Sequence, residues 1–213
     1  MPGGDVTREV VEAAFAAINQ EIEIQILPWR RGYEETLKAD PIVATFPYVA
    51  TPDRKEAFYY SDPIMWSPPA VLLVRKDIDF KVETTEDLAG RLICYPFGYA
   101  LPEGIAKLEA RGELNLVRPK TAIGCLEIVL EGRSDATVTT EHVVGWLSQQ
   151  LNLDISGLRF LKEIINPGDQ YYLIVSKSYP KAKDLLARFN TGLAKIKANG
   201  KYDNILSQIR ADM

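Results

Sequence analysis

Histidine and cysteine are scarce in this sequence. One histidine, His142, and two cysteines, Cys94 and Cys125, occur among 213 residues, and no CxxC motif is present. Zinc sites and cysteine–histidine nucleophilic pairs need more such side chains than the chain offers. The sequence therefore predicts no metal site, no cofactor and no catalytic residue.

The chain also has no excess of basic residues and no long apolar run. Lysine and arginine total 25 against 29 acidic residues, a formal net charge of -4. That balance argues against nucleic acid as a partner and favours a small or zwitterionic molecule. No apolar run, residues 70–74 included, approaches the roughly 20 residues of a membrane-spanning helix, and we recognise no signal-peptide pattern near Met1.

Hydrophobic periodicity predicts an α/β fold. Apolar residues recur every fourth position from Val6 to Ile18, which is typical of an amphipathic helix. In EIEIQI, residues 21–26, isoleucines alternate with polar residues, which is typical of a half-buried strand. Helix and strand patterns then alternate along the chain, so we expect mostly parallel sheets flanked by helices.

The first recognisable element is a helix, whereas such α/β units usually begin with a strand. We therefore expect the first sheet to lack its first strand, which would leave an exposed edge that is prone to pairing. A monomer is expected unless another copy supplies that strand. Ligand binding is expected to be weak or absent in this form.

Two proline-marked segments suggest that the chain crosses between two lobes. The first is SPPAVLLV and the second is NPGDQYYLIV, in which prolines stiffen the entry to a strand. We predict a discontinuous lobe 1 of residues 1–70 and 172–213, and a lobe 2 of residues 71–171. The cleft between two such lobes is the default ligand site.

Seven segments, taken in order, resemble one family. They are PWRRGYEET, TFPYVATPDRKEAFYYSDPI, LLVRKD, TTEDLAGRLIC, GRSDATVTT, YYLIVSK and NGKYDNI, and they resemble the bacterial periplasmic solute-binding proteins of the polar amino acid uptake type (extracellular solute-binding family 3). The resemblance implies a two-lobed type II periplasmic-binding-protein-like fold that closes on a small carboxylate-bearing ligand. It further implies a non-catalytic periplasmic protein that delivers the ligand to an ABC transporter permease, or the sensor domain of a receptor.

The resemblance assigns a carboxylate-binding role to Arg54, in the TPDR block. A guanidinium offers a planar donor fork that matches a carboxylate and stays charged at physiological pH. The alternative is that Arg54 pairs with a surface acid, Asp53, Glu56 or Asp62. By the same resemblance Trp29 packs on the ligand, although a tryptophan after a strand can equally be core, and one of Phe46 and Tyr48 lines the cleft.

In lobe 2 the resemblance places the ligand near Gly98 and Tyr99, where a helix start would present free N–H groups. The family holds the ligand ammonium with an acid at the end of a DAxxTD motif. Here DATVTT ends in Thr140, and Glu141 is the nearest carboxylate. The family also has a serine five positions before the arginine, and that position is Val49 here. A ligand that has a carboxylate but no α-ammonium group is therefore an alternative to an α-amino acid.

Two further questions remain open from the residues. Cys94 and Cys125 are either a disulfide or two buried thiols, and the exported character of the family favours the disulfide. Some relatives with this fold are dehydratases, so Glu141 and His142 would serve an enzyme of the dehydratase or lyase kind. The sequence favours the binding protein over the enzyme, because no partner motif accompanies the single histidine.

Overall fold

A computed structural model describes residues 2–211 of the chain. It divides into two compact units. The first unit comprises Met1–Ser67 and Asp169–Met213, and the second comprises Pro68–Gly168. The chain passes between them at residues 67–68 and 168–169, inside the two proline-marked segments and three residues before each of the predicted positions, 70–71 and 171–172.

Eight α-helices and nine strands make up the described part of the chain. The helices are α1 (Pro2–Ala16), α2 (Trp29–Lys38), α3 (Pro52–Ala57), α4 (Glu103–Ala110), α5 (Ala122–Leu130), α6 (Glu141–Leu151), α7 (Ala182–Ala198) and α8 (Lys201–Ala211), with a 3₁₀ helix at Thr85–Leu88. The strands are β1 (Ala44–Tyr48), β2 (Phe58–Tyr60), β3 (Met65–Trp66), β4 (Ala70–Arg75), β5 (Leu92–Cys94), β6 (Asn115–Val117), β7 (Ala136–Thr139), β8 (Leu158–Asn166) and β9 (Gln170–Ser176). No described helix has the length and apolar character needed to cross a membrane.

The sheet of the first unit is built around β9. Strands β1 and β2 flank it, β3 pairs with it as well, and all three run antiparallel to it. The expectation of a mostly parallel sheet is therefore wrong for this unit. The reason is that β9 belongs to the returning segment of the chain and lies between β1 and β2, a neighbour relation that periodicity in one strand cannot reveal.

The sheet of the second unit is mixed. Its strand order is β6-β5-β7-β4-β8, in which β5 runs parallel to β6 and β7 while β4 runs antiparallel to β7 and β8. The expectation of mostly parallel strands is thus correct for only half of these pairings. The carboxyl ends of β5, β6 and β7 lie at one edge of the sheet, where three loops lead into helices α4, α5 and α6.

The segment EIEIQIL, residues 21–27, is not a strand. Among the described residues its backbone pairs with no other backbone group, so the strand predicted from its alternation is wrong. The segment and residues 41–48 border a largely apolar groove of about 520 Å³ within the first unit. Ile22 and Ile24 pack partly against the core, whereas Ile26 is 84 % exposed. Polar and apolar residues alternate in exposure from residue 21 to residue 25, as in a strand. However, no described strand forms backbone hydrogen bonds with this segment.

Close packing of α1 against α7 depends on a glycine. A Cβ atom built on Gly192 of α7 would lie 1.9 Å from the backbone oxygen of Ala14 in α1. Because the neighbour is backbone, the helices would have to separate. We expect Gly192→Ala to lower the free energy of unfolding by about 1–3 kcal/mol, the usual cost of overpacking a core.

Chemical denaturation followed by circular dichroism measures this loss. Gly145→Ala is a matched control, because Gly145 lies in α6 and a Cβ atom added to it would meet no described atom within 4 Å. Alanine there should stabilise its helix by up to about 1 kcal/mol. Equal stabilities for the two variants would contradict the close approach of α1 and α7.

Candidate functional site

Arg54 lies in the first turns of α3, which the sequence TPDR starts. Thr51 is the N-cap, and its side-chain oxygen accepts a hydrogen bond from the Arg54 backbone N–H (3.4 Å). Pro52 takes the first helical position, where its missing N–H costs nothing. The TPDR block thus begins a short helix between β1 and β2, and this helix fixes the position of the Arg54 backbone.

The Arg54 side chain is half-buried and held on the first unit. Its Nη1 donates to the backbone carbonyl of Val49 (3.0 Å), and its guanidinium carbon lies 4.9 Å from the centre of the Tyr48 ring. A cation over an aromatic face is attracted by the ring quadrupole, which orders the side chain before any ligand binds. The hydrogen bond to the Val49 carbonyl uses one N–H group of the guanidinium. A guanidinium has five N–H donors in a planar arrangement, which suits the binding of a carboxylate.

Trp29 and Tyr48 form a stacked pair beside Arg54. Their ring centres are 4.4 Å apart, and the Tyr48 hydroxyl donates to the Trp29 carbonyl (3.2 Å). Tyr48 is only 1 % exposed, so its ring presents almost no surface to solvent. Phe46 packs with the α1–α7 core and borders the groove, in a different cluster from Tyr48. The irregular pairing with β9 between Thr45 and Tyr48 breaks the alternation that would put Phe46 and Tyr48 on one face.

Tyr60, in FYY, belongs to the same cluster and was not singled out from the sequence. Its ring meets Tyr172 edge-on at 5.4 Å between centres. Burial raises the pKa of Tyr60 to about 12, while the Arg54 guanidinium and the Thr51 backbone amide oppose that rise. An uncharged phenol close to Arg54 is therefore present at every physiological pH.

The raised pKa of Tyr60 predicts that this side chain ionises later than an exposed tyrosine when the pH is raised. Since an unfolded tyrosine ionises near pH 10, the folded state keeps the Tyr60 proton where the unfolded state loses it. Its contribution to stability is full below about pH 10 and is lost as the pH rises towards about 12. We expect the ultraviolet titration curves of wild type and Tyr60→Phe to differ by one late step. A difference curve with its midpoint near pH 10 would contradict the buried environment.

In the second unit Gly98 and Tyr99 lie in a turn after β5, before the start of α4. Gly98 has a positive φ of 84°, which favours glycine. The backbone N–H of Tyr99 donates to Pro96 (3.3 Å), and that of Phe97 donates to Pro119 (2.8 Å). Helix α4 begins at Glu103, four residues after Tyr99, so the turn itself is not a helix start. Two of the turn's amides are thus already engaged, so a ligand there would rely on other groups.

Thr140 and Glu141 lie where β7 leads into α6. The Thr140 side-chain oxygen caps α6 by accepting from the Val143 backbone N–H (3.2 Å). Its hydroxyl hydrogen remains a donor, but its acceptor capacity is partly used. Glu141 is the first helical residue and is exposed, which leaves its carboxylate accessible at the same sheet edge as Gly98 and Tyr99.

Arg118 also lies at this edge, and the sequence reasoning missed it. It follows β6 directly, and its Nη2 donates to the Tyr99 carbonyl (3.3 Å). Its Nε is buried and has no hydrogen-bond acceptor among the described residues. A signal was present in the sequence: an arginine directly after an apolar strand, three residues before the threonine that caps α5.

Cys94 and Cys125 form a disulfide in the structure. Cys94 ends β5 and Cys125 lies in α5, and both are buried, at 0 % and 1 % exposed. The bond ties the strand that leads to Gly98 to the helix that follows Arg118. It therefore holds together the two loops that carry these residues.

Comparison with known proteins places these features in a family. The model of the bacterial extracellular solute-binding proteins, family 3, matches residues 3–209. The glutamate-binding protein GluB of Corynebacterium glutamicum is 28 % identical over 190 residues, which cover 85 % of this chain and 62 % of GluB. The chain thus spans about three fifths of the length of this curated relative.

Solved structures share the fold. An ancestral arginine-binding protein bound to arginine is similar with a TM-score of 0.77 at 21 % identity, covering 95 % of this chain and 86 % of the other. The amino acid ABC transporter substrate-binding protein AbpA of Streptococcus pneumoniae, bound to L-arginine, is similar with a TM-score of 0.73 at 18 % identity, covering 95 % and 82 %. These similarities confirm the predicted α/β fold of the type II periplasmic binding proteins.

Proposed function

Because this chain belongs to the bacterial extracellular solute-binding proteins, family 3, we propose that it binds a small carboxylate-bearing solute, an amino acid or a related compound, and that its two units close on that solute. The observation that carries the proposal is Arg54, a half-buried guanidinium ordered over the Tyr48 ring. Its fork matches a carboxylate in shape and charge. The family is one of binding proteins, which favours this function over an enzyme. The proposal departs from the expectation of weak or absent binding, which rests on the missing first strand alone.

Each unit contributes distinct chemistry to the proposed binding. In the first, Arg54 receives the carboxylate, and Trp29 and Tyr60 provide aromatic surface around it. In the second, Thr140 and Glu141 offer oxygen atoms to an ammonium group. The family places an acid at the position of Thr140. Here Glu141, one residue later, would accept the charge-assisted hydrogen bond from the ligand ammonium in its place.

Two relatives support an amino acid as the solute. GluB is a glutamate-binding protein, and AbpA is an amino acid ABC transporter substrate-binding protein. We extend this to the present chain as part of the proposal: it delivers its solute to an ABC transporter permease outside the cytoplasm, in the periplasm. An oxidising compartment agrees with the Cys94–Cys125 disulfide.

Native mass spectrometry of protein purified from a rich medium tests the proposal. We expect a bound species with the mass of a small carboxylate-bearing compound, released when the protein is unfolded. Arg54→Ala, purified in parallel, should carry none of it. A retained species without a carboxylate, or equal retention by the variant, would contradict the proposed role of Arg54.

A further inference from the structure

Three loops of the second unit meet at one edge of its sheet. Strand β5 is parallel to β6, with Cys94 beside Val117, and parallel to β7, with Cys94 beside Thr137. Their carboxyl ends therefore lie side by side, and ligands of α/β sheets bind outside such ends. Tyr99 follows β5, Arg118 follows β6, and Glu141, the first residue of α6, follows β7.

Arg118 differs from the arginines that form surface ion pairs in the same unit. Arg111 contacts Glu86 at 2.6 Å and Glu113 at 2.8 Å, and both of its partners are acids. Among the side chains that the structure describes, no acid lies within ion-pair distance of Arg118. Its contact is with a neutral carbonyl, that of Tyr99, and its Nε–H is buried without an acceptor in the described part of the chain.

A partly buried guanidinium with an unused buried donor is costly unless something pairs with it. Burying a charge is favourable only when it is paired and hydrogen-bonded, and each unsatisfied buried donor calls for an explanation. A carboxylate satisfies both needs at once, because it accepts two parallel bonds from one guanidinium. The Arg118 environment thus selects an anionic group.

We propose that Arg118 is a specificity-determining residue that binds a second carboxylate of the solute, so that the preferred ligand is an acidic amino acid. This inference rests on the proposed function, in which Arg54 takes the α-carboxylate. Glu141, at the same sheet edge, supplies the negative charge that the ammonium group requires. The side-chain carboxylate is then the ligand group left for Arg118.

Calorimetric titration with L-glutamate and L-glutamine tests the inference, because the two ligands differ only in the charge and hydrogen bonding of the side-chain terminus. We expect wild type to bind glutamate at least about 30-fold more tightly than glutamine, the lower end for truncating a paired, desolvated charge. Arg118→Gln should lose about 100-fold in glutamate affinity while its glutamine affinity changes less than about threefold. Arg111→Gln, which alters only exposed ion pairs, should behave as wild type.

The outcomes separate the inference from its premise. An equal loss of both affinities in Arg118→Gln would show that Arg118 only holds the Tyr99 loop, and would overturn the inference. Tighter binding of L-glutamine or L-arginine than of L-glutamate by wild type would overturn it as well, while leaving the proposed function intact. Failure of every amino acid to bind the folded wild type would overturn both.

Discussion

Replacing Arg54 with alanine should weaken solute binding by about 100-fold or more. Removing one partner of a desolvated, hydrogen-bonded charge pair costs about 2–5 kcal/mol, and much of that is the penalty of leaving the other charge unpaired. Here the ligand carboxylate would lose its cation. Isothermal titration calorimetry of wild type and variant against the same solute measures the change in Kd.

The variants next to this position separate charge from geometry. Lys55→Ala removes a neighbouring cation from the exposed side of α3 and should leave Kd within about threefold. Arg54→Lys keeps the charge but not the planar fork, so we expect it to lie between alanine and wild type. If Arg54→Ala bound as tightly as Lys55→Ala, the carboxylate would have to be held elsewhere, and the proposed clamp would be wrong.

Removing the disulfide should produce the largest loss of stability. The bond joins residues separated by 31 positions, and closing a loop of that length stabilises by about 3–4 kcal/mol in the chain-entropy model. The double variant Cys94→Ala/Cys125→Ala should therefore melt on the order of 10 °C below wild type, with the loss in the second unit.

Differential scanning calorimetry with and without reductant measures this shift. Reductant should lower the Tm of wild type and leave that of the double variant unchanged, which distinguishes the loss of the bond from the loss of two buried sulfur atoms. Equal melting of oxidised and reduced wild type would contradict a stabilising role of the bond.

Hydrophobic periodicity predicted individual helices and strands better than it predicted which strands pair and in which direction. The apolar stripe from Val6 to Ile18 correctly indicated α1, because an amphipathic helix forms its own hydrogen bonds. The alternation in EIEIQI failed, because a strand also needs a partner and the described sheet offers none there. The antiparallel setting of β9 could not be predicted either, since its partners lie more than a hundred residues away along the chain.

For the candidate site, too, the sequence predicted single residues better than their arrangement. The motif around Arg54 gave the residue but not the short helix that orients it, although Thr51 and Pro52 form a typical helix start. Arg118 belongs to no motif of the resemblance. The role that we propose for it depends on the parallel pairing of β5 and β6, which brings the Tyr99 carbonyl to its guanidinium.

The most direct test of the central claim, that this chain binds a carboxylate-bearing solute, is isothermal titration calorimetry of wild type with a panel of amino acids and their decarboxylated amines. We predict saturable one-site binding of at least one amino acid and no binding of the matched amine, because the amine lacks the carboxylate that we propose Arg54 binds. Equal binding of an amino acid and its amine, or no heat from any of them with folded protein, would contradict the account.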